Sequence, residues 1–308
     1  MTAIVFPGQG SQYAGMAKDF YDNFSNSKNI FDLIENTVSM DLKKIIFENP
    51  DNLLDITNYT QISIFASSLT IFEALKEITQ NKINFKYMLG HSLGEYSALT
   101  ASKKLSIEDA ATLLKKRGEL MQNAVGNKTA TMAALIGLNS NTVEEIIESN
   151  RLNIQVANDN SPVQVVISGK IEDINKSKEI FQKYKLKKFV PLKVSSAFHS
   201  RYMESAQIEL NKLIDKTNFN FTDTTIISNY SAQPSKINSE IIDFLKMQMS
   251  NKVRWKESIE KLEELGAHKI IEIGPGNVLS GLIKRISSNF DIFNVNKIED
   301  LEIIDANT

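Results

Sequence analysis

The sequence predicts an α/β fold, and three observations carry that prediction. Strand-like and helix-like segments alternate along the chain. Short apolar runs end in glycine turns, as Ala3–Phe6 does at Pro7-Gly8 and Lys269–Ile273 does at Gly274-Pro-Gly276. A middle stretch follows an order of its own, which reads as a second, smaller unit set into the first.

The elements follow in order. Ala3–Phe6 is a short apolar strand. Ile62–Ile78 has helical spacing of its apolar residues. Lys86–Leu89 is a strand candidate that ends at Gly90. Ser106–Met121 is a helix, with Ser106 placed as N-cap and the acids Glu108 and Asp109 in its first turn, where they favour the helix dipole. In the middle, Thr131–Leu138 reads as a strand and Ser140–Ser149 as a helix. Asn153–Asn158 and Val163–Ser168 read as strands with a turn over Asp159–Pro162 between them. Ile171–Tyr184 reads as a helix and Lys188–Val194 as a strand. This order is βαββαβ, the ferredoxin-like unit. Ile226–Asn229, a helix after Ser239 and the strand Lys269–Ile273 then resume the first pattern. The expected architecture is a large α/β-hydrolase-like domain, residues 1–124 and 194–308, with a small ferredoxin-like domain, 125–193, inserted into it. A cleft between two such units is a common place for an active site.

Composition narrows the function. The chain has 308 residues and a net charge of -2, with 42 % hydrophobic and 23 % charged residues, ordinary for a globular protein with a sizeable core. There is no cysteine, so disulfides, thiolate nucleophiles and cysteine metal sites are excluded. Near-neutral charge argues against a dedicated nucleic-acid binder. No apolar run approaches the length of a membrane span. The N-terminal MTAIVFPGQG lacks the basic and long apolar regions of a signal peptide, and a cytoplasmic location is expected. No exposed apolar stripe suggests a partner surface, so a monomer is expected.

Leu89–Tyr96 reads LGHSLGEY and contains G-x-S-x-G, with Ser92 between two glycines. A short apolar strand precedes this pattern and a helical stretch follows it, the context in which such a serine is a nucleophile. The glycines remove side chains where the backbone turns sharply. The next helix aims its first N–H groups at the serine, and the Leu93 N–H is placed to hold a developing oxyanion.

A serine nucleophile needs a general base. The chain has 3 histidines: His91, His199 and His268. His91 is adjacent to Ser92, where side chains diverge. His268 sits in a polar loop before a strand. His199 sits in the small-residue loop Ser196–Ser200 after a strand, which makes it the best candidate by elimination. No acid stands out as a third member. A backbone carbonyl is therefore expected to orient the imidazole.

Arg117, among few arginines and many lysines, falls on the apolar stripe of Ser106–Met121 with Ala110, Leu113, Leu114, Leu120 and Met121. A buried guanidinium needs a carboxylate, which its planar fork binds bidentately. Two partners are open: an acid within the chain, or a free carboxylate on the acyl group of a substrate.

Together these residues resemble the malonyl-CoA:acyl carrier protein transacylases of fatty acid synthesis, over nearly the whole chain. Phe6–Gln12 (FPGQGSQ) is similar to that family's N-terminal signature and Gly90–Glu95 (GHSLGE) to its nucleophile turn. Ala197–Ser200 (AFHS) is similar to its histidine motif, Gln248 with Val253–Trp255 to its late glutamine segment, and Glu272–Leu279 to its C-terminal strand-turn-helix. Three positions depart from the pattern, Ser196, Lys252 and Val163; none removes a chemical group.

The resemblance implies roles. Ser92 carries the acyl group as an ester, and His199 is general base and then general acid. Gln9 lies at the oxyanion hole beside the Leu93 N–H. Arg117 holds the malonyl carboxylate, the Gln248 carbonyl orients His199, and Gln61 lies near the site. Phe198 is the residue type associated with malonyl rather than methylmalonyl. The implied reaction is ping-pong transfer from malonyl-CoA to the phosphopantetheine thiol of an acyl carrier protein, with no metal and no cofactor. CoA is a substrate, and the pantetheine arm belongs to the carrier. The alternatives are a free-standing polyketide-synthase acyltransferase and an acyl hydrolase on the same dyad. A basic run at Lys183, Lys185, Lys187 and Lys188 reads first as a solvated face, with an acidic carrier protein as the lesser alternative.

Overall fold

The computed structural model describes residues 1–80, 82–83, 85–125, 129–194 and 196–306. The chain opens with β1 (Thr2–Phe6), followed by α1 (Lys18–Asn23), α2 (Ser25–Val38) and α3 (Thr57–Ile78). Then come β2 (Phe85–Gly90), α4 (Gly94–Ala101) and α5 (Ile107–Asn123). The middle of the chain is β3 (Ala130–Ile136), α6 (Ser140–Ser149), β4 (Ile154–Ser161), β5 (Gln164–Lys170), α7 (Ile171–Gln182) and β6 (Lys188–Pro191). The last part holds α8 (Glu204–Ile214), β7 (Thr225–Ile227), β8 (Pro234–Ser235), α9 (Asn238–Gln248) and α10 (Trp255–Glu264). It ends with β9 (Lys269–Ile273), α11 (Val278–Ile286), β10 (Asp291–Val295) and α12 (Asp300–Ala306).

The strands form two sheets. One is six-stranded in the order β10-β9-β1-β2-β7-β8, and the other four-stranded in the order β4-β5-β3-β6. In the larger sheet β10, β9, β1, β2 and β7 run parallel, and β8 alone is antiparallel to its neighbour. Its strands are apolar on both faces, as a sheet covered on both sides requires. Successive side chains point to opposite faces. Ile4, Phe6, Met88, Ile226 and Ile271 join the larger core with α2, α3 and α5. Ala3, Val5, Tyr87, Leu89 and Ile270 pack on the other side against Trp255, Ile259 and Leu282 of α10 and α11.

The smaller sheet is antiparallel throughout. Ala133, Leu135, Val165 and Ile167 face α6 and α7, where Val143, Ile146, Ile174 and Phe181 complete a core. The opposite face, with Met132, Ala134 and Val166, packs into the main core. That placement sets Met132 beside the site described below. The junction of this unit with α5, at residues 126–128, lies outside the described residues.

The structure corrects the turn expected over Asp159–Pro162. Strand β4 runs on through Asp159, Asn160 and Ser161, and the reversal falls on Pro162 and Val163. These polar residues stay extended because Asp159 and Ser161 pair with Val165 and Gln164 of β5, and the segment ahead of α10 pairs with the other edge of β4 at Ala157 and Asp159. The Asp159 N–H donates to the Val253 carbonyl at 2.9 Å, and the Val253 N–H donates to the Ala157 carbonyl at 2.9 Å. Strand β6 ends at Pro191, earlier than expected, though the Leu192 N–H still reaches the Met132 carbonyl at 2.9 Å. Helix α3 starts at Thr57 and so includes Gln61. Among the described residues no helix is long and apolar enough to cross a membrane.

Candidate active site

Four parallel strands end at the same edge of the large sheet. β1 delivers Gly8 and Gln9, β2 delivers Ser92, β7 delivers Asn229, and β9 delivers Gly274. Ligands in α/β sheets bind outside these carboxyl ends.

Ser92 stands at a sharp turn between β2 and α4 with φ of 54°. A non-glycine residue in the left-handed region is strained, and such strain is characteristic of a nucleophile turn. The flanking glycines are required by close approach. A Cβ on Gly90 would lie 2.0 Å from the Gly94 carbonyl, and one on Gly94 would lie 2.2 Å from the Phe6 oxygen. The turn is stapled from across the sheet. The Ser92 N–H donates to Oδ1 of Asn229 at 2.7 Å, and Nδ2 of Asn229 donates to the Gly90 carbonyl at 2.7 Å.

The Ser92 hydroxyl meets Nε2 of His199 at 2.8 Å. Nδ1 of His199 lies 3.0 Å from the Gln248 backbone carbonyl. A carbonyl can only accept, so Nδ1 carries the proton and Nε2 is left as acceptor for the serine. Burial, together with the nearby Arg117 charge, pushes the His199 imidazole down to about 3, and the Gln248 carbonyl offsets part of that. At neutral pH the ring is an uncharged base.

Arg117 is fully buried. Nη1 donates to Oε1 of Gln61 at 2.7 Å; Nη2 donates to Ser92 Oγ at 3.0 Å and to Oε1 of Gln248 at 3.0 Å. Among the described residues no carboxylate lies within ion-pair distance of it. The stripe that placed it differs in detail: Leu120 is only half-buried, and Gly118 lies buried where a Cβ would meet Asn58 at 2.8 Å.

The other two histidines lie away from the Ser92 hydroxyl. His91 turns its Nε2 to Oδ1 of Asn160 at 2.8 Å and its ring toward Trp255. His268 is exposed beside the N-terminal amine.

A narrow cavity opens over Ser92 and His199. Gln9, Gln61 and Asn158 supply its polar lining, while Met121, Met132, Leu192, Val194, Leu93 and Phe198 supply its apolar wall. The Gln9 amide is held by Thr57 at 3.3 Å. The structure thus brings Ser92, His199, Arg117, Gln9, Leu93, Gln61, Phe198 and Gln248 to one place.

The family model for the acyl transferase domain matches residues 3–304. The chain belongs to the acyl transferase domain family. Its similarity to members of that family runs over nearly the whole chain. It is 36 % identical over 305 residues to the malonyl CoA-acyl carrier protein transacylase of Bacillus subtilis, covering 98 % of this chain and 95 % of the relative. It is 39 % identical over 293 residues to a polyketide biosynthesis malonyl CoA-acyl carrier protein transacylase of Bacillus velezensis, covering 94 % and 97 %. Among solved structures, the acyl-carrier-protein S-malonyltransferase of Bartonella henselae superposes with a TM-score of 0.93 at 36 % identity, covering 98 % of both chains. A malonyl-transacylase in complex with its type II polyketide acyl carrier protein superposes at 0.95 and 32 % identity, covering 100 % of this chain and 99 % of that one.

Within this acyl transferase, two site residues escaped the sequence reading as functional groups. Asn229 was legible only as the end of a strand. Glu95 was legible only as the first acid of a helix. Both are buried and joined: the Asn229 N–H donates to Oε2 of Glu95 at 3.2 Å. The available signal was position, since each follows the carboxyl end of a central strand.

Proposed function

We propose that this acyl transferase moves a malonyl group from malonyl-CoA to the phosphopantetheine thiol of an acyl carrier protein through an ester on Ser92. The observation that carries the reading is the double contact at Ser92 Oγ, with a neutral imidazole on one side and, on the other, a guanidinium that has no carboxylate within ion-pair distance among the described residues, beneath a narrow cavity that opens over Ser92 and His199.

The chemistry runs in two halves. His199 Nε2 takes the Ser92 proton as Oγ attacks the thioester carbonyl. The Leu93 N–H, with Gln9 beside it, stabilises the oxyanion. The C–S bond breaks, and the CoA sulfur leaves with the proton from His199. The carrier thiol then enters and gives its proton to His199. Its sulfur attacks the ester, the C–O bond breaks, and Ser92 recovers the proton. Arg117 holds the malonyl carboxylate throughout, and Phe198 crowds any α-substituent. No step calls for a metal or cofactor.

The reading extends to architecture. The parallel sheet with its strained serine turn supports an α/β-hydrolase-like domain over 1–124 and 194–308. The βαββαβ order and antiparallel sheet of β3–β6 support a ferredoxin-like unit over 125–193. A cytoplasmic monomer that meets its carrier transiently belongs to the same proposal. The polyketide relative at 39 % identity favours one variant, in which the carrier serves polyketide rather than fatty acid synthesis. The reaction is the same in both.

The test is intact-mass and peptide mapping after an acid quench. Malonyl-CoA should leave one malonyl adduct, on Ser92, and none on Ser92→Ala. An adduct elsewhere, or none with CoA released, would remove the acyl-enzyme from the account.

A further inference from the structure

Arg117 carries a buried charge that its contacts do not neutralise. Its hydrogen bonds go to two amide oxygens and the Ser92 hydroxyl, the Tyr96 hydroxyl is a further polar neighbour, and no carboxylate lies within ion-pair distance of it among the described residues. A buried charge left without a counter-ion is costly. Tyr96, whose ring lies 5.6 Å from the guanidinium, does not supply one: burial pushes its hydroxyl up to about 12, so it is neutral at pH 7.

The nearest anion is reached through one amide. Gln248 accepts from Arg117 Nη2 at 3.0 Å and donates from Nε2 to Oε2 of Glu95 at 2.7 Å. The same Nε2 donates to the Ser92 carbonyl at 2.8 Å. The Gln248 side chain is therefore polarised between a cation and a carboxylate, and its oxygen can point only toward the arginine. Glu95 is itself 1 % exposed.

We propose that Glu95 is the internal counter-charge of Arg117, compensating the guanidinium through the Gln248 amide while no substrate carboxylate is present and giving way when one arrives. This rests on the reading of Arg117 as the malonyl clamp. Glu95 is a positioning residue; it touches neither substrate nor reacting atoms.

The arrangement has a proton consequence. Burial raises the Glu95 carboxyl to about 7, while Gln248, Asn229 and the Arg117 charge hold it down. The groups that face it are Arg117 from α5, Tyr96 on its own helix, Gln248 from α9, and Ser228 and Asn229 after β7. His199 lies beyond Gln248 and is neutral. A malonyl carboxylate at Arg117 cancels the charge that favoured the Glu95 anion. The carboxylate of Glu95 then takes a proton from the buffer.

The experiment is calorimetric binding to the non-acylating Ser92→Ala protein at pH 7, in two buffers of different ionisation heat. Malonyl-CoA and acetyl-CoA are compared, with and without Glu95→Gln. Malonyl-CoA should bind with uptake of a substantial fraction of a proton and acetyl-CoA with none. Glu95→Gln should abolish the uptake and tighten malonyl-CoA about tenfold, leaving acetyl-CoA unchanged. Absence of malonyl-specific uptake overturns the proposal, as does equal weakening of both thioesters, which marks a merely structural acid. If Ser92→Ala binds the two thioesters equally, the Arg117 clamp itself is lost, and the counter-charge with it. Should the double variant not fold, proton uptake by Ser92→Ala alone decides.

Discussion

The Gln248 carbonyl stands 3.0 Å from Nδ1 of His199, in the place where a triad would put a carboxylate. A carbonyl fixes the tautomer and the ring angle without adding charge. Acids near His199 should then be dispensable for acyl-enzyme formation. Glu144, the acid that lines a surface pocket together with His199, is the case to test. Glu144→Gln is expected to keep the rate of Ser92 malonylation within about threefold of the parent, read by quenched-flow mass spectrometry, as a residue outside the chemistry should. A drop of about a thousandfold would make Glu144 the missing triad acid.

The imidazole is held near 3, below its ordinary 6.5, chiefly by burial. The base form is therefore present at any pH above that value. In Glu95→Gln, which removes the carboxyl raised to about 7, and with acetyl-CoA, which brings no carboxylate to Arg117, the loading rate is expected to stay flat from about pH 8 down to about pH 5. A rate that halves near 6.5 would mean that the ring titrates as though exposed.

The proposed role of Arg117 is to hold the carboxylate of the acyl group. Arg117→Ala should lower kcat/KM for malonyl-CoA by about 10- to 100-fold more than for acetyl-CoA, the usual worth of a hydrogen-bonded charge. Acetyl loading should fall less, through the lost contact at Ser92 Oγ. Arg117→Lys should recover little of the difference, because an ammonium cannot make the fork. Equal losses for the two thioesters would assign the arginine to the fold alone.

Two glycines make opposite predictions for stability. A Cβ on Gly94 would collide with the Phe6 carbonyl, whereas one on Gly281 in α11 meets nothing within 4 Å. Gly94→Ala should cost about 3 kcal/mol or more by overpacking. Gly281→Ala should stabilise by about 0.5–1 kcal/mol. Denaturant midpoints separate the two, and a tolerated Gly94→Ala would contradict the tight turn.

Asn229 holds Ser92 N–H and Gly90 carbonyl together. Asn229→Ala leaves both buried and unpaired, at about 1–3 kcal/mol each. It should lower the unfolding midpoint and the acylation rate together. A loss of stability with an unchanged rate would show that the serine turn keeps its shape unaided.

Much of this was legible in the sequence because it is local. Ser92 is marked by its two glycines, and Ser106 by the helix it caps: its hydroxyl accepts from the Asp109 N–H at 3.0 Å. Arg117 was legible as an arginine on an apolar face. What was hidden is tertiary. Glu95, Asn229 and Gln248 come from distant segments, and no period in the chain announces that they meet. Asp159–Ser161 looked like a turn because their side chains are polar. Pairing with β5, and of Asp159 with Val253 on the other edge, keeps them extended, and a propensity cannot report a partner as far along the chain as Val253.

The central claim is transfer, and the second half-reaction tests it most directly. The malonyl-enzyme would be isolated free of CoA and mixed with a holo-acyl carrier protein, and both proteins weighed over time. The account predicts that the adduct leaves Ser92 as malonyl-carrier appears in equal amount, much faster than malonate forms without the carrier. Adduct loss at one rate with or without carrier, with free malonate as the product, would contradict it and make the protein a hydrolase.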